Sequence, residues 1–363
     1  MMRSPRALRT SRPVGRARLT GFAGLSGRAG LTALVLLTAL LTAACGMLQT
    51  PAPPLRQFHF MAGYKPQANL PFVGVYIAQQ KGYFKEQGLE VQITHATGQG
   101  EHLKLLLQGS VDVTTAEADA VLARRADDLP VVSFATLGQR GQRAFAVQES
   151  SEIRSPKDFE GKSVGFKVLQ TPDYLAMLAL NGVDRSKIQE VPVGFDPRIL
   201  AAGKIDVYPV FESNEPDILA RLGVPTRLFR PIDYGVPSLG LTYLTRQDMV
   251  SKDAASLERF LKATLRGIQD AKSDPEAATD IIMQFVPNEE RAHQLSMLKI
   301  ELDMADSPVT RERGIGWSTP EQWQTFQDSL LAYGGISKPV AVNTAYTTAI
   351  LANVYRDGRL VWP

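Results

Sequence analysis

The sequence predicts an α/β fold of two lobes, each a mostly parallel sheet flanked by helices. Strand-like segments alternate with helix-like segments at the spacing of βαβ units, and this alternation favours parallel strands. The segments LLLQGSVDV (105–113) and ILAAGKIDV (199–207) share one pattern of helix, glycine, polar residue, β-branched residue, Asp and Val. This internal similarity indicates two related lobes, and 363 residues suffice for two domains.

The first 44 residues have the composition of an export signal. They contain seven arginines and no acidic residue, and the first acidic residue of the chain is Glu86. The apolar run over 31–41 is shorter than the roughly 20 residues that a membrane-spanning helix needs. Removing the seven arginines changes the formal net charge from +3 to −4. The basicity therefore belongs to the signal, and no nucleic acid is expected as a partner.

Cys45 is the only cysteine of the chain. The preceding Thr42, Ala43 and Ala44 are similar to a bacterial lipobox, in which the cysteine becomes the lipidated N-terminus, although leucine is commoner at the position of Thr42. The alternative is an ordinary signal peptide with an incidental cysteine. Lipidation would hold the exported protein at the outer face of the cytoplasmic membrane. Residues 45–56 are then the lipidated cysteine and a Pro-rich tether.

The first lobe is predicted over residues 57–145. Its elements are a strand over 57–64, a helix over 72–82, a strand over 89–97, a helix over 100–109 and a strand–helix–strand run over 111–136. The helix over 72–82 is rich in small and branched apolar residues. It is expected to end near Gly82, because glycine commonly terminates helices.

The second lobe is predicted over residues 146–238, with the same alternation of elements. A loop and strand over 155–166 lead to a helix over 171–182, in which Thr171 is the N-cap and Pro172 the first helical residue. The segments that follow are a strand over 188–193, a helix over 196–203 and a strand over 204–212.

Residues 239–363 are predicted to return to the first lobe and to end in helices. The segment over 241–250 is expected to be a strand, and helical spacing of apolar residues predicts helices over 256–271 and 275–285. A looser helical tail follows. We interpret its largest aromatic residues as packing residues rather than ligand contacts: Trp317, Trp323 and Phe326.

The sequence carries no signature of catalysis or metal binding. The four histidines lack metal-ligand spacing, and no HExxH, GxSxG, Walker A or GxGxxG motif occurs. The segment TGQGEH (97–102) is interpreted as a strand-to-helix turn rather than a phosphate cradle. With Cys45 assigned to lipid, no cysteine nucleophile remains. We therefore expect no catalytic residue, metal or cofactor, and a protein that captures its ligand without converting it.

Six segments, taken in chain order, carry a resemblance to a known family. They are GVYIAQQKGYFKEQGLEVQI (74–93), LLLQGSVDV (105–113), LPVVSFAT (129–136), IRSPKDFEGKSVGF (153–166), VGFDPRILAAGKIDV (193–207) and, within 214–241, NEPDILARLG with IDYGVPSLGL. Together they resemble the thiamine-pyrimidine-synthase-like (NMT1/THI5-like) branch of the periplasmic binding proteins, the substrate-binding lipoproteins of ABC importers. The resemblance implies a type II periplasmic binding protein, with a ligand cleft between the lobes and a closure that signals to the permease.

The loop before the first helix, NLPF (69–72), departs from this family at one position. Members that make or transport thiamine pyrimidines typically have Asn, two spacer residues and His here, whereas this chain keeps Asn69 but has Phe72 in place of His. Synthase members also carry a cysteine-rich motif that this chain lacks. Phenylalanine offers an apolar stacking face instead of an imidazole, so a broader and flatter ligand is expected.

The expected binding site combines aromatic walls with a few polar groups, the usual composition of ligand pockets. Tyr76 could instead be a core residue, Asp119 could cap its helix, and Glu215 with Pro216 could be an N-cap pair. The ligand-binding residues predicted on this basis are Tyr64, Asn69, Phe72, Tyr76, Glu117, Asp119, Asp173, Tyr174, Phe211, Glu212, Asn214 and Glu215.

The leading hypothesis for the ligand is riboflavin. Riboflavin-binding proteins occur in the same branch, and Phe72 suits a three-ring isoalloxazine better than a single pyrimidine. The runner-up is a thiamine pyrimidine precursor of the hydroxymethylpyrimidine or formylaminopyrimidine type, and an enzyme of pyrimidine synthesis is the least favoured alternative. Other members bind sulfonates or nitrate, but the aromatic loop argues against small oxyanions. The expected partners are the small-molecule ligand, an ABC transporter permease and, through the N-terminal lipid, the membrane.

Overall fold

The computed structural model describes residues 54–98 and 100–363. The predicted signal peptide, Cys45 and most of the predicted tether lie outside the described residues. The chain from Pro54 to Pro363 forms one compact unit. Among its described residues, no helix is long and apolar enough to cross a membrane.

A five-stranded sheet in the order β2-β1-β3-β10-β4 forms the centre of the first lobe. Its strands are β1 (Arg56–Ala62), β2 (Leu89–His95), β3 (Val113–Glu117), β4 (Val131–Thr136) and β10 (Leu241–Arg246). Strand β1 pairs in parallel with β2 and β3, as the βαβ pattern predicts. Strand β10 is antiparallel to β3 and β4, because it enters the sheet from the second lobe and runs in the opposite direction.

Two smaller sheets form the second lobe. Strand β5 (Arg143–Gln148) is antiparallel to β8 (Tyr208–Phe211) and to β9 (Thr226–Phe229). Strands β6 (Ser163–Phe166) and β7 (Gln189–Pro192) pair in parallel, and a parallel bridge from Val164 to Val207 continues toward β8. The α/β prediction is therefore confirmed. The five-stranded sheet is mixed and the β8-β5-β9 sheet has only antiparallel pairs, because each crossover strand inserts antiparallel to its neighbours.

Helices connect these strands and form most of the C-terminal region. Those between the strands are α1 (Leu70–Gln80), α2 (Tyr83–Glu86), α3 (Glu101–Leu107), α4 (Ala118–Ala126), α5 (Pro172–Leu180), α6 (Arg198–Ala201) and α7 (Glu215–Arg221). Those after β10 are α8 (Gln247–Lys252), α9 (Ala254–Ser273), α10 (Pro275–Ile282), α11 (Arg291–Met304), α12 (Pro308–Arg313), α13 (Pro320–Ala332), α14 (Val342–Ala345) and α15 (Ala349–Val354). A short hairpin of β11 (Tyr355–Arg356) and β12 (Arg359–Leu360) follows.

The main difference from the predicted elements lies just after the return to the first lobe. The predicted strand over 241–250 ends at Arg246, and the chain continues as helix α8. Helix α5 begins as predicted, with Thr171 at the N-cap and Pro172 in the first turn. The boundaries predicted for the two lobes themselves stay a prediction.

Helix α1, whose first residues reach the cleft, is held by unusually close helix packing. A Cβ atom on Gly267 of α9 would lie 2.4 Å from the carbonyl oxygen of Gly74 in α1, so only glycine fits there. Beneath these helices, the ring of Phe260 stacks on Phe58 and Phe84 at centroid distances of 5.1 and 5.6 Å. This core fixes the position of the loop that precedes α1.

The two chain crossings between the lobes touch each other at a pair of glycines. The Gly240 amide donates a 2.9 Å hydrogen bond to the Gly138 carbonyl oxygen, and the Gly138 amide donates to the Leu241 carbonyl oxygen at 2.9 Å. A Cβ atom on Gly240 would lie 2.4 Å from the carbonyl oxygen of Arg140. The crossings therefore form one compact junction in which a side chain at position 240 has no room.

The C-terminal aromatic residues pack in the interior, as predicted. Trp323 is fully buried, its Nε1 donates to Ser318 Oγ at 2.9 Å, and its ring stacks on Tyr346 at 5.1 Å. Phe326 is buried in the same cluster, and Trp317 packs against the core of the first lobe.

Candidate functional site

A cavity of about 450 Å³ lies between the two lobes and is called the cleft cavity below. Its walls come from the loop before α1, the junction of β3 with α4, the crossover at Gln142 and Arg143, and the junction of β8 with α7. Two further spaces of about 410 and 470 Å³ adjoin it, and Phe211 lines all three. The cavities thus form one open region centred on Phe211.

The structure brings most of the predicted ligand-binding residues to this region. Tyr174 lines the 410 Å³ space and Glu215 the 470 Å³ space, while Asp173 lies beside Arg143 at the edge of the cleft. The role of each residue in binding stays a prediction. The predicted residues that line the cleft cavity itself are Tyr64, Asn69, Phe72, Glu117, Asp119, Phe211 and Asn214.

Besides Asp173, two predicted residues line none of these three cavities. Tyr76 is fully buried in the core, stacks on Phe285 at 4.1 Å, and shares a 2.8 Å hydrogen bond between its hydroxyl and His95 Nε2. Glu212 is 5% exposed and accepts a hydrogen bond from Arg140 Nη2 at 3.2 Å. Both side chains are turned toward internal partners instead of the cleft cavity.

Phe72 lines the cleft cavity but is only 1% exposed, so it presents little free ring surface. Its ring meets His95 edge-on at 5.6 Å. The aromatic rings that face open space are Tyr64, which is 50% exposed, and Phe195, which is 60% exposed. Phe195 was not among the predicted ligand-binding residues, because nothing in the sequence around it indicates that it lines the two spaces beside the cleft cavity.

Asn69 holds the loop before α1 through a buried carboxylate that the sequence did not reveal. Asn69 Nδ2 donates to Glu301 Oε1 at 2.9 Å, and the Leu70 amide donates to Glu301 Oε2 at 3.1 Å. Gln142 Nε2 and Ser213 Oγ also donate to Glu301 Oε1, at 2.6 and 2.9 Å. One side chain thus joins the first lobe, the crossover and the second lobe. Burial raises the pKa of Glu301, although these hydrogen bonds oppose the increase.

Three carboxylates surround one arginine at the bottom of the cleft, and this group is called the acid–arginine cluster below. Arg143 Nη2 donates to Asp119 Oδ2 at 2.6 Å, and Arg143 Nη1 lies 3.9 Å from Asp173 Oδ2. Burial raises the pKa of Glu117 to about 8; Arg143 opposes this increase and Asp119 adds to it. Burial disfavours the charge of Arg143, but the acids Asp119, Asp173 and Glu117 raise its pKa above the ordinary value. Glu117 is therefore largely protonated at neutral pH and can donate a hydrogen bond.

Lys167 occupies an aromatic cage beside the cleft cavity. Its Nζ lies 4.9 Å from the ring centre of Phe211 and 5.4 Å from those of Phe195 and Tyr208. The same Nζ forms an ion pair with Glu215. Glu215 Oε2 also accepts a 2.8 Å hydrogen bond from the Phe211 amide. The cage fixes Phe211 where the three cavities meet, and cation–π contacts of this kind stabilise such rings.

His102 is a further cleft residue that the sequence pattern did not predict. It lines the cleft cavity, and its buried Nδ1 has no hydrogen-bond partner among the described residues. Burial lowers the pKa of His102, and the nearby charge of Arg124 lowers it further. The neutral ring can therefore donate to or accept from a ligand. Within residues 54–98 and 100–363, no group of three or more His, Cys, Asp or Glu side chains is arranged to hold a metal ion.

Comparisons with known proteins identify the chain's relatives. The sequence profile of a family described as NMT1/THI5 like matches residues 69–278, more than half of the chain. The riboflavin-binding protein RibY of Chloroflexus aurantiacus is 25% identical over 305 residues, which cover 81% of this chain and 86% of that protein. The formylaminopyrimidine-binding protein of Halalkalibacterium halodurans is 25% identical over 306 residues, which cover 81% and 90%.

The fold is similar to that of solved periplasmic binding proteins. The periplasmic aliphatic sulphonate binding protein SsuA from Escherichia coli superposes with a TM-score of 0.62 at 16% sequence identity. The match covers 81% of this chain and 92% of SsuA. The predicted fold class is thereby confirmed.

Proposed function

The chain belongs to the NMT1/THI5-like family, and from this premise we propose that it is the substrate-binding protein of an ABC importer, with riboflavin as its leading ligand. The observation that carries the proposal is the cleft cavity between the lobes. Its volume of about 450 Å³ lies within the roughly 300–1,000 Å³ of sites for small organic ligands. Two relatives of nearly the same length are named as binding proteins, one for riboflavin and one for formylaminopyrimidine.

Aromatic surface in and beside the cleft supports a flat ligand. Tyr64 and Phe211 belong to the wall of the cleft cavity, and the exposed ring of Phe195 belongs to both adjoining spaces. Rings in this arrangement can stack on an isoalloxazine, and aromatic pairs contribute about 0.5–1.5 kcal/mol beyond their buried area. The adjoining spaces leave room for a hydroxylated side arm. Because Phe72 is nearly covered, the stacking role that the sequence assigned to it passes mainly to Tyr64 and Phe211.

A thiamine pyrimidine precursor is the second candidate. The relative named for formylaminopyrimidine is as similar to this chain as the riboflavin-binding relative, at 25% identity. Asn69 is retained, but its Oδ1 accepts from Gln67 at 2.5 Å and its Nδ2 donates to Glu301. Both polar groups of Asn69 already have partners within the protein. Asn69 therefore positions the loop and has little capacity left to bind a ligand. This weakens the main residue-level argument for a pyrimidine.

The proposed location is the outer face of the cytoplasmic membrane, with Cys45 as the lipidated residue. Metabolic labelling with a radioactive fatty acid is expected to mark the wild-type protein and to leave a Cys45→Ser variant unlabelled. Equal labelling of both proteins would show that the lipobox interpretation is wrong. The binding function does not depend on this result.

Fluorescence titration tests the proposed ligand directly. Riboflavin emission is expected to fall on addition of the protein beginning at Gly46, because stacking on aromatic rings quenches the flavin. If micromolar protein leaves the emission unchanged, the riboflavin proposal is wrong. Thermal unfolding with hydroxymethylpyrimidine and formylaminopyrimidine then tests the second candidate, since a bound ligand stabilises by RT ln(1 + [L]/Kd).

A further inference from the structure

We infer that the cleft selects uncharged ligands and rejects anions such as phosphate esters and sulfonates. This inference rests on the same cleft as the proposed function and concerns the charge of the ligand instead of its ring system. Two features of the cleft favour this selection: the helices that begin there and the charged side chains around it.

Three helices of at least nine residues begin at the cleft, two in the first lobe and one in the second: α1, α4 and α5. The N-terminus of a helix carries partial positive charge and exposed N–H groups, and it is therefore a common binding site for phosphate and carboxylate. Three helix N-termini at one cleft would suit an anion, unless these N-termini already have negative partners.

Each of the three N-termini carries a carboxylate of the protein itself. The Leu70 amide of α1 donates to Glu301 Oε2 at 3.1 Å, the Ala120 amide of α4 donates to Asp119 Oδ1 at 2.6 Å, and the Tyr174 amide of α5 donates to Asp173 Oδ1 at 3.1 Å. These carboxylates thus compensate the partial positive charge at the three helix N-termini. An anionic ligand would have to approach these carboxylates.

The cationic side chains at the cleft are also paired with acids of the protein. Arg143 bonds to Asp119 within the acid–arginine cluster, and Lys167 pairs with Glu215. Arg124, at the rim, lies 3.6 Å from Asp127. The described cationic side chains around the cleft therefore have acidic partners. In the acid–arginine cluster, the two carboxylates of Asp119 and Asp173 and the largely protonated Glu117 surround one arginine.

The remaining polar groups suit a neutral ligand. Gln142 and Asn214 line the cleft cavity and carry uncharged amides. Gln142 Nε2 donates to Glu301 and Asn214 Oδ1 bonds to His293, so among the described residues the Gln142 Oε1 and the Asn214 Nδ2 are the amide atoms open to a ligand. His102 adds an uncharged ring whose buried Nδ1 has no hydrogen-bond partner among residues 54–98 and 100–363. Neutral heteroaromatic rings with carbonyl and N–H edges match this set, and hydroxyl groups on an uncharged arm match it as well.

The test compares a neutral flavin with its anionic ester on the mature protein. Riboflavin and riboflavin 5′-phosphate are titrated by fluorescence at pH 7.5 in 150 mM salt, where contacts within the cleft are only partly screened. The phosphate ester is expected to bind at least 100-fold more weakly. In the Asp173→Asn variant, which removes one acid from α5, this ratio should fall at least fivefold. Binding of the ester within threefold of riboflavin to the wild type would overturn the inference.

A second arm keeps the two proposals separate. Ethanesulfonate and inorganic phosphate are titrated calorimetrically into the wild type. No heat of binding is expected up to millimolar concentration, and a dissociation constant below about 1 mM for either anion overturns the inference whatever the flavin result. If neither flavin nor anion binds, the riboflavin proposal fails and the inference of anion rejection stands. If Asp173→Asn does not fold, the two wild-type titrations decide.

Discussion

Asn69 and Glu301 form a buried hydrogen bond of 2.9 Å although 232 positions separate them in the chain. The Glu301 carboxylate is 4% exposed and accepts three further donors, from Leu70, Gln142 and Ser213. The loop that enters the cleft and both lobes therefore depend on one side chain of α11.

Glu301→Ala is expected to destabilise the protein strongly. The change leaves the Leu70 amide and three side-chain donors without their acceptor, and an unsatisfied buried polar group costs about 1–3 kcal/mol. We expect a loss of about 3–5 kcal/mol in the free energy of unfolding, measured with urea. The exposed Glu152→Ala is the control and should change stability by less than about 0.5 kcal/mol. A loss below 1 kcal/mol for Glu301→Ala would contradict the central position of this carboxylate.

Glu117 makes stability depend on pH in a definite direction. Its pKa is raised to about 8 in the folded protein, so between its ordinary pKa and pH 8 the folded state binds more protons than the unfolded state. Stability therefore falls as the pH rises through this range. One pKa unit corresponds to about 1.4 kcal/mol, and partial exposure and Arg143 reduce the effect. We expect Glu117→Gln to be about 1–3 kcal/mol more stable than the wild type at pH 8.5.

Unfolding by urea at pH 5 and pH 8.5 checks this expectation. At pH 5 the wild-type carboxyl is protonated and resembles glutamine in its hydrogen bonding, so the two proteins should then be nearly equal in stability. A wild type that is as stable as the variant at pH 8.5 would show that Glu117 is ionised there without penalty.

Tyr64→Ala should weaken ligand binding with little effect on stability. The side chain is half exposed and lines the cleft cavity, so its removal costs ring contact with the ligand but little core packing. On the riboflavin proposal, we expect a rise of roughly 5- to 20-fold in Kd by fluorescence titration, which corresponds to the loss of one aromatic contact. Leu180→Ala, another half-exposed apolar residue but outside these cavities, is the control. Unchanged affinity in Tyr64→Ala would exclude Tyr64 from the ligand contacts.

Phe72→Ala should behave differently from Tyr64→Ala. Phe72 is 1% exposed and belongs to the core of the first lobe, and truncation of a buried phenylalanine costs about 3–5 kcal/mol. The expected result is a large loss of stability in urea unfolding, together with weaker binding caused by the altered loop. A stable Phe72→Ala protein with weakened binding would restore the direct ligand contact that the sequence predicted.

Gly240→Ala tests the junction between the lobes. The new Cβ atom would lie 2.4 Å from the Arg140 carbonyl oxygen, so the two crossings must separate. We expect a loss of about 1–3 kcal/mol in the free energy of unfolding, typical of overpacked sites. Gly194→Ala is the matched control, because a Cβ atom there meets nothing within 4 Å. Equal stability of the two variants would show that the junction is not rigid.

The α/β fold and many of the residues that line the cleft could be predicted from the sequence. The alternation of strands and helices predicts βαβ units, and in parallel units the strand-to-helix junctions gather at one sheet edge. This reasoning placed Glu117 and Asp119 at one junction and Phe211 and Asn214 at another, and the structure brings these residues to one cavity. Such positions follow from local patterns, and local patterns are visible in a single sequence.

The features of the site that were not predicted depend on contacts between residues far apart in the chain. Glu301 lies within helix α11, and nothing near it in sequence indicates that four donors converge on it. Lys167 is likewise unremarkable until Phe195, Tyr208 and Phe211 are brought around it. The sequence left a core position and a cleft position open for Tyr76, and it did not predict the burial of Phe72, because a helix that is apolar on all sides does not reveal which face meets the cleft.

The position of β10 between β3 and β4 has a consequence for the order in which this protein folds. The sheet of the first lobe is interrupted until residues 241–246 are available, and these residues follow the whole second lobe in the chain. A nascent chain can therefore complete the second lobe before the first, and contacts between such distant positions slow folding. The loop of Asn69 in the first lobe reaches its final contacts only after Glu301 has been synthesised, 232 positions later in the chain.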